Sequence, residues 1–326
     1  MPKMKHKGEN AGDVIMRYSG YIAFAVIIIF FVIKAPIFLR YSNLVNILAQ
    51  SAVLGICGFG LTGIFIGGGD DVIRGGTDLS ITLNMAVAGA IIAVMAGGGK
   101  PLWLAFATAA LVSITIEAVN AYTIVKLKMV PLLSTICMMY LLQGVERIIT
   151  NNVVVPANHK ALVIISNTAI LGIPVIAWIF VVVAIVMYVL FNVCSYGNKV
   201  SASGGSELAA KASGINVSLM VASTYIIGGV MASVSAFLMV ARLSSYTPGA
   251  GDLQLFDVML VSYLGAVFSR RYRPNIPGTF IAALFIGVLT NGFTLINVPS
   301  YWVYAIKGAL ILITVSITTI QKRRVE

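Results

Sequence analysis

The chain has 326 residues, of which 59% are hydrophobic and 10% are charged, and its formal net charge is +11. A soluble domain carries about 25% charged residues, so this composition excludes an ordinary soluble globular protein. The hydrophobic residues come in runs of about twenty, the length of a helix that crosses the hydrocarbon layer. The chain is therefore predicted to be an all-α polytopic membrane protein.

Hydrophobic runs separated by turn residues predict about ten transmembrane helices. Together they form one transmembrane domain, residues 18–320, between an N-terminal cytoplasmic tail, residues 1–17, and a basic tail, residues 321–326. The eighth span is short, and the sequence leaves open whether it is broken. The predicted spans are 18–39, 44–67, 79–97, 101–125, 131–150, 172–194, 217–241, 254–269, 275–296 and 300–320.

Basic residues are distributed unevenly between the two sides that these spans define. Starting from a cytoplasmic N-terminus, the inner segments carry groups such as Lys126 with Lys128, whereas each outer loop carries a single one, such as Lys160. Because cytoplasmic loops collect Lys and Arg, both termini are predicted to be cytoplasmic. Topology thus accounts for the net charge, and no nucleic-acid partner is predicted.

Glycines are frequent in the second and seventh spans, where small residues let helices approach closely. The letters of a dinucleotide-binding motif, GFGLTG, occur at Gly58–Gly63. They lie inside a hydrophobic span and lack the strand–loop–helix context that such a motif requires. We interpret these glycines as packing residues.

The stretch GGGDDVIRGGTDLS, residues 67–80, joins the second and third spans. Gly75 and Gly76 allow a tight turn. Asp78 and Ser80 are predicted to cap the third span by accepting backbone N–H hydrogen bonds. Asp78 is thus predicted to fix local conformation and not to catalyse a reaction.

Neither a metal site nor a catalytic site is predicted. Asp70 and Asp71 lack further spaced ligands, and with Arg74 they are interpreted as a solvated turn with a local ion pair. The three cysteines show no metal-binding spacing, and the two histidines lack a neighbouring nucleophile. The chain is therefore not predicted to be an enzyme or to bind a metal or cofactor.

Polar residues inside the predicted spans are the first candidates for function, because a charge in lipid is costly. Glu117 and Asn120 lie three residues apart, on one face of the fourth span. They are either polar points on a pathway or hydrogen-bonded packing residues. Asp257 and Lys307 are predicted to pair across the bundle. Together with Asn291, they are further candidates for pathway or packing residues.

The outer end of the fifth span carries two charged neighbours, Glu146 and Arg147. They are predicted to form an interfacial pair. The outer loop that follows, residues 151–171, is predicted to contain a short surface element.

The inner segment SASGGSELAAKASGINVS, residues 201–218, contains the best-formed soluble element. Ser206 is predicted to cap a short helix, and Gly214 to end it. Glu207 and Lys211 form an i,i+4 pair in the favourable order. Two turns of helix are marginal in water, so this helix needs a surface to pack on. That surface is either the membrane or its own bundle, or a cytoplasmic partner.

Four stretches of the chain form a set of separated motifs: GGTDLSI (Gly75–Ile81), GGSELAAKASGINV (Gly204–Val217), VARLSSYTPGAGDLQLFD (Val240–Asp257) and PGTFIAALFIGVLTNGFTLINVPSYWVYAIKGALIL (Pro277–Leu312). These stretches resemble the permease subunits of ribose/monosaccharide-type ABC importers. The resemblance covers residues 42–320 and follows the order of that family's motifs.

This resemblance implies a multi-pass protein of the bacterial inner membrane that imports a small polar solute, first of all a monosaccharide, by alternating access. It implies cytoplasmic ATPase subunits that bind ATP and Mg²⁺, a second permease subunit, and a periplasmic solute-binding protein. The implied motif at the third span is Gly75, Gly76, Asp78, Leu79 and Ser80. The implied ATPase contacts, in a coupling loop of about 198–216, are Gly204, Gly205, Glu207, Ala210, Lys211, Ser213, Gly214, Ile215 and Asn216.

Three departures from the family pattern stand out. Thr82 replaces the usual glycine after the aspartate motif, and GGDDVIR (Gly68–Arg74) is an insertion of about seven residues. LGAVFSRRYRPNIPG (Leu264–Gly278) replaces a glycine-rich turn and carries three arginines. A second, different permease would supply the regular motifs, so a heterodimer is favoured over a homodimer.

The alternative interpretation is a secondary transporter of a sugar or other small solute, driven by an ion gradient. In that case Glu117 or Asp78 would take part in ion coupling. A membrane scaffold that transports nothing is a third class. The sequence does not identify the solute.

Overall fold

The computed structural model describes residues 11–68, 76–269 and 273–325. A π-helical turn, Val189–Val193, extends the seventh helix. The α-helices are α1 (Ala11–Lys34), α2 (Tyr41–Gly68), α3 (Ile81–Gly97), α4 (Leu102–Val125), α5 (Pro131–Thr150), α6 (Lys160–Asn167), α7 (Val175–Tyr188), α8 (Ser195–Gly205), α9 (Glu207–Ala212), α10 (Val217–Leu243), α11 (Ala250–Val267), α12 (Ile276–Leu295) and α13 (Ser300–Val325). The strands are β1 (Val155–Pro156), β2 (Ala169–Ile170), β3 (Ile173–Pro174) and β4 (Ser245–Tyr246).

Each predicted span overlaps one long helix. In the described residues, seven helices are long and hydrophobic enough to cross a membrane: α2, α4, α5, α7 with its extension, α10, α11 and α12. Shorter hydrophobic stretches lie in α1, α3 and α13. The chain is thus an all-α polytopic membrane protein, as predicted, whereas ten crossings and cytoplasmic termini stay predictions. The short eighth span is one continuous helix, α11.

The two central helices are α2 and α10, which pack against each other and are surrounded by α3, α4, α11 and α12. Their buried side chains include Phe59 of α2 and Tyr225 of α10. The peripheral helices expose large hydrophobic side chains instead, such as Leu111 of α4 and Ile185 of α7. A hydrophobic outer surface suits lipid tails, which are as apolar as leucine.

The glycines of α2 let neighbouring helices touch its backbone. A Cβ added at Gly55 would lie 2.3 Å from the ring of Phe180 on α7. At Gly60, an added Cβ would lie 3.2 Å from the Cα atom of Gly228 on α10. The interpretation of these glycines as packing residues is therefore confirmed.

At one end of the bundle, several loops contact one another. β1 pairs antiparallel with β4, so Val155 lies opposite Tyr246, and β2 and β3 form a hairpin. Gly97, the last residue of α3, packs against the backbone of Pro156, and the Tyr41 hydroxyl donates to the Gly172 carbonyl. The surface element predicted in residues 151–171 therefore consists of β1, α6 and β2.

Candidate functional site

The turn before α3 packs against the backbone of α2. A Cβ added at Gly76 would lie 2.2 Å from the Ile64 carbonyl oxygen, so only glycine fits there. Asp78 is fully buried, and its Oδ1 accepts hydrogen bonds from the Ser80 backbone N–H (2.8 Å) and hydroxyl (2.7 Å). The predicted capping by Asp78 is thus observed. The Ser80 side chain does not cap α3, because its hydroxyl is directed to Asp78.

Leu79 is half-buried in the same turn. Thr82, which replaces the family's usual glycine, is fully buried in the first turn of α3. Six residues of the predicted turns lie outside the described residues: Asp70, Asp71, Arg74 and Gly75 before α3, and Arg270 and Arg271 after α11.

Glu117 and Asn120 of α4 reach the turn before α3. The Asn120 side-chain amide donates to the Ser80 hydroxyl at 2.8 Å and to Glu117 Oε2 at 3.1 Å. Glu117 Oε1 accepts from the Asn84 amide at 2.9 Å. Asn84 also donates to the Ser113 carbonyl (3.0 Å), and its own Oδ1 accepts from the Ser113 hydroxyl (2.5 Å). The motif and the mid-span pair therefore belong to one network.

We name this network the α3–α4 polar cluster. All of its residues are 0% exposed. The sequence predicts the motif of Asp78 and Ser80 and the pair of Glu117 and Asn120 as separate features. It does not identify Asn84 and Ser113, which add further hydrogen bonds between α3 and α4. A usable signal is the helical spacing of four that relates Ser80 to Asn84 and Ser113 to Glu117. The cluster comprises Asp78, Ser80, Asn84, Ser113, Glu117 and Asn120.

The central helices enclose this cluster. On α10, a Cβ added at Gly229 would lie 2.8 Å from the Ser113 carbonyl oxygen and 3.1 Å from Glu117 Cγ. One helical turn earlier, the buried Tyr225 hydroxyl donates to the Thr77 carbonyl at 3.2 Å. Polar groups that are so enclosed must satisfy one another, which the hydrogen bonds of the cluster largely achieve.

A second buried polar contact joins α11 to α13. Lys307 Nζ lies 2.8 Å from Asp257 Oδ2, so the predicted pair is formed. Asn291 of α12 is 6% exposed, and its buried Oδ1 accepts no hydrogen bond from the described residues. Whether these three residues line a pathway stays a prediction.

The predicted pair of Glu146 and Arg147 is wrong. Glu146 is fully buried, and its Oε1 accepts from the Tyr246 hydroxyl and from the Gly249 backbone N–H. Arg147 lies instead 3.6 Å from Asp252 of α11. Consecutive helical residues project about 100° apart, so these two neighbours face different surroundings.

The short helix α9 forms as predicted. The Ser206 hydroxyl accepts from the Ala209 backbone N–H at 3.3 Å, and Gly214 follows the helix with a φ of +76°. Lys211 lies 2.6 Å from Glu207, and this hydrogen bond and charge lower the Glu207 pKa below its usual value. The helix therefore carries its own local stabilisation.

One face of α9 is packed and another is open. Ala210 is buried, whereas Leu208 is 82% exposed. Beyond the helix, the Ile215 backbone N–H donates to the Ala210 carbonyl, and Asn216 caps α10 by accepting from the Leu219 backbone N–H. These contacts connect α9 to α10 through a turn that is hydrogen-bonded at both ends.

The remaining predicted residues of the coupling loop lie before and after α9. Gly204 and Gly205 end α8, and the Ser213 hydroxyl donates to the Ala209 carbonyl.

Comparison with known proteins gives one family. The sequence model described as "Branched-chain amino acid transport system / permease component" matches residues 43–315. This range includes α2 except its first two residues and all of α3 to α12, and therefore the whole α3–α4 polar cluster and α9. No solved structure matches the chain.

Curated relatives cover nearly the whole length. The ribose import permease protein RbsC of Escherichia coli (strain K12) is 31% identical over 305 residues, 92% of this chain and 93% of the relative. That of Bacillus subtilis (strain 168) is 29% identical over 93% of this chain and 92% of the relative. The galactose/methyl galactoside import permease protein MglC of Escherichia coli (strain K12) is 25% identical over 93% of this chain and 94% of the relative.

Proposed function

Since the chain belongs to the family of transport-system permease components, we propose that it is the membrane subunit of an ATP-driven importer for a small polar solute, first of all a monosaccharide. The observation that carries this proposal is the full-length similarity to permeases named for ribose and galactose import. The family description names branched-chain amino acids, but the three relatives described above are named for the import of sugars. Such a subunit moves its solute and makes no covalent bond.

The proposed mechanism is alternating access, in which ATP and the loaded binding protein bias two conformations of the bundle. Here α9 would receive the ATPase subunits. Its exposed Leu208 supplies an apolar contact, and its capped, ion-paired form is ready before the partner binds. The chain holds no ATP in this scheme, because nucleotide and Mg²⁺ bind to the partner.

A movement of α9 would pass directly to the centre of the bundle. The turn from Ala210 to Asn216 is hydrogen-bonded at both ends, so α9 and α10 would move together. α10 then reaches the α3–α4 polar cluster, where Gly229 packs against Ser113 and Glu117. In this proposal the cluster keeps α3 and α4 together while α10 shifts against them.

The remaining partners follow from the same proposal. The end of the bundle that carries the β1–β4 pair would face the periplasm and receive the solute-binding protein. A second permease subunit completes the pathway. We favour a different chain for that role, because Thr82 and the arginine-rich stretch after α11 depart from the family pattern.

Reconstitution tests the proposal. The chain, its ATPase, its binding protein and a second permease are placed in liposomes, and uptake of labelled ribose and galactose is measured with and without ATP. We expect uptake of one monosaccharide that requires ATP and the binding protein. Uptake that continues without the ATPase and stops when the ion gradient is dissipated would establish the ion-driven alternative instead.

A further inference from the structure

A polar contact joins the last turns of α5 to the first turn of α11. The Gln143 side-chain amide donates to Asp252 Oδ2 at 2.9 Å, and the Arg147 guanidinium lies 3.6 Å from the same oxygen. The side chains of Arg147 and Asp252 are 48% and 33% exposed, and Gln143 is half-buried. Each of the three groups has more donors or acceptors than this contact uses, so all three can also bind a ligand.

Two exposed aromatic side chains lie one helical turn further inward. α5 ends and α11 begins at the end of the bundle that carries the β1–β4 pair, so the two helices run in opposite directions. At a rise of about 1.5 Å per residue, Tyr140 lies about 4.5 Å inward from Gln143 along α5. Phe256 likewise lies about 6 Å inward from Asp252 along α11. Tyr140 is 66% exposed and Phe256 is 64% exposed.

The face of α5 is open, and the start of α11 is fixed beside it. Gly144 follows Tyr140 by one turn, and no described atom lies within 4 Å of a Cβ added at Gly144. On another side of α5, Glu146 Oε1 accepts from the backbone N–H of Gly249 at 2.8 Å. Gly249 directly precedes α11, so this hydrogen bond fixes where α11 begins and therefore where Asp252 lies.

These residues form a surface that we name the outer polar–aromatic face. It combines an amide, a guanidinium group and a carboxylate with two aromatic rings and an open glycine. Its members are Tyr140, Gln143, Gly144, Arg147, Asp252 and Phe256.

The outer polar–aromatic face differs from a surface that suits lipid. The exposed residues of α7 are only valine, isoleucine and tyrosine: Val181, Val182, Ile185, Val186 and Tyr188. Charged side chains are costly against hydrocarbon, and within membrane helices they usually face a cavity or a pathway. The composition of the outer polar–aromatic face therefore favours contact with water or a solute over contact with lipid tails.

The chemistry of this face fits a neutral molecule that is rich in hydroxyl groups. The carboxylate accepts hydrogen bonds, whereas the guanidinium and amide groups donate them, and a hydroxyl group can do both. Arg147 and Asp252 offset each other's charge at 3.6 Å, so the face offers little net attraction to a charged solute. Binding sites for small molecules typically combine apolar and aromatic surface with a few placed polar groups. Here the rings can cover the C–H faces of a sugar.

We propose that the outer polar–aromatic face is a solute-binding site of this chain, and that its ligand is a monosaccharide. The inference rests on the proposed function and deepens it, because it names side chains that contact the solute at the end of the bundle where the binding protein would deliver it. Asp252 and Gln143 bind hydroxyl groups, and Tyr140 and Phe256 contact the sugar ring.

Cysteine labelling of the purified full-length chain in lipid nanodiscs tests the site without a transport assay. The exposed Cys137 and Cys194 are first replaced by serine, and Cys57 is kept because it is buried. Gly144→Cys then places a thiol on the face without a clash. The matched control is Val182→Cys, on the exposed side of α7, which lies at a similar distance from the same end of the bundle.

A water-soluble methanethiosulfonate reagent should label Gly144→Cys roughly tenfold faster than Val182→Cys, because the reactive thiolate is disfavoured in apolar surroundings. Titrated ribose or galactose should slow the labelling of Gly144→Cys in a saturable manner. At twice the half-protecting concentration the slowing should be about threefold, since about a third of the sites stay free. Leucine, which is a zwitterion, should not slow it.

A second substitution connects this protection to a named side chain. In the Gly144→Cys protein, Asp252→Asn should raise the half-protecting sugar concentration roughly tenfold, because it removes a charged hydrogen-bond acceptor. Glu207→Gln removes an exposed carboxylate at the opposite end of the bundle and should leave that concentration unchanged. If Gly144→Cys does not fold, Gln143→Cys places the thiol on the same face and takes its role.

Four outcomes would overturn this site. Equal labelling of the two cysteines means that the face is no more open to water than the surface of α7. Fast labelling that no sugar slows means a wet face without a sugar site, and it leaves the importer proposal intact. Protection by leucine alone contradicts the solute class and therefore both proposals. Protection that is unchanged in Asp252→Asn places the sugar elsewhere. Conversely, sugar protection in a chain that shows no ATP-dependent uptake supports the site and counts against the importer.

Discussion

Lys307 of α13 lies 2.8 Å from Asp257 of α11, and the two side chains are only 7% and 14% exposed. A buried charge that loses its partner destabilises a protein by about 3–5 kcal/mol. We therefore expect Asp257→Asn and Lys307→Met each to lower the unfolding temperature and the yield of folded protein. The exchanged double variant, Asp257→Lys with Lys307→Asp, should recover part of that loss.

The matched control is Arg147→Gln, since Arg147 is 48% exposed and lies 3.6 Å from Asp252. An exposed pair of this kind contributes about 0–1 kcal/mol, so this variant should unfold almost like the unmodified protein. A double variant no more stable than the worse single variant would contradict a direct pairing of Asp257 with Lys307.

Gly229 should tolerate no side chain. A Cβ there would lie 2.8 Å from the Ser113 carbonyl oxygen, and overpacking of this kind costs about 1–3 kcal/mol. Gly229→Ala should thus lower the unfolding temperature. Gly144→Ala is the control: nothing lies within 4 Å of an added Cβ, and alanine is favoured over glycine in a helix by about 1 kcal/mol. Equal effects of the two substitutions would refute close packing at Gly229.

Leu208 should matter for the partner and not for the fold. Because its side chain is 82% exposed, Leu208→Glu should leave the unfolding temperature of the isolated chain unchanged. The same variant should reduce co-purification of the ATPase subunit and ATP-dependent uptake. Leu171→Glu changes an equally exposed leucine, 88% exposed, in the β2–β3 hairpin at the opposite end. ATPase co-purification that falls equally in both variants would argue against docking on α9.

The stability of α9 should depend on pH through Glu207. The pKa of Glu207 is lowered by its hydrogen bond and ion pair with Lys211. The stabilisation of α9 by this pair is therefore fully present above the pKa that Glu207 has in the unfolded chain, and it is lost as the pH falls through the pKa of Glu207 in the folded protein. An exposed pair of this spacing is worth about 0.3–0.5 kcal/mol. Amide hydrogen exchange in α9 should therefore be faster in Glu207→Gln than in the unmodified protein at neutral pH, and equal in both at acidic pH. A difference that persists at acidic pH would contradict this origin.

Asp78 should be needed for assembly or transport. Alanine would leave the buried Ser80 N–H and hydroxyl without their acceptor, and a buried group left unpaired costs about 1–3 kcal/mol. We expect Asp78→Ala to reduce the amount of folded protein or the rate of uptake. Asp78→Asn keeps an acceptor oxygen for Ser80 and should be the milder change. Full uptake by Asp78→Ala would show that the motif is dispensable.

Much of the architecture follows from the sequence alone. Runs of hydrophobic residues between turn residues predict the long helices, because lipid requires each span to satisfy its backbone hydrogen bonds internally. The cap of Ser206, the pair of Glu207 with Lys211 and the terminating Gly214 likewise depend on residues within one or two turns. These local features are predicted and observed.

The pairing of Asp257 with Lys307 was predicted and is formed, but most other contacts between distant segments were beyond such reasoning. The sequence predicts a turn motif at Asp78 and a polar pair at Glu117 and Asn120, but not that they meet. It also pairs Glu146 with its neighbour Arg147, whereas Glu146 binds Tyr246 and Gly249 instead. In each case the partner is chosen by how the helices are rotated and packed.

The sequence by itself therefore determined that this is a polytopic helical permease with a preformed short helix between α8 and α10. Hydrophobicity, capping and i,i+4 pairs act within a single helix, so they can be read along the chain. Only the tertiary structure decided that Asp78, Glu117 and their amide neighbours form one enclosed site. The physical reason is that enclosure depends on α10 approaching α4 at Gly229, a property of the assembled bundle and of no single segment.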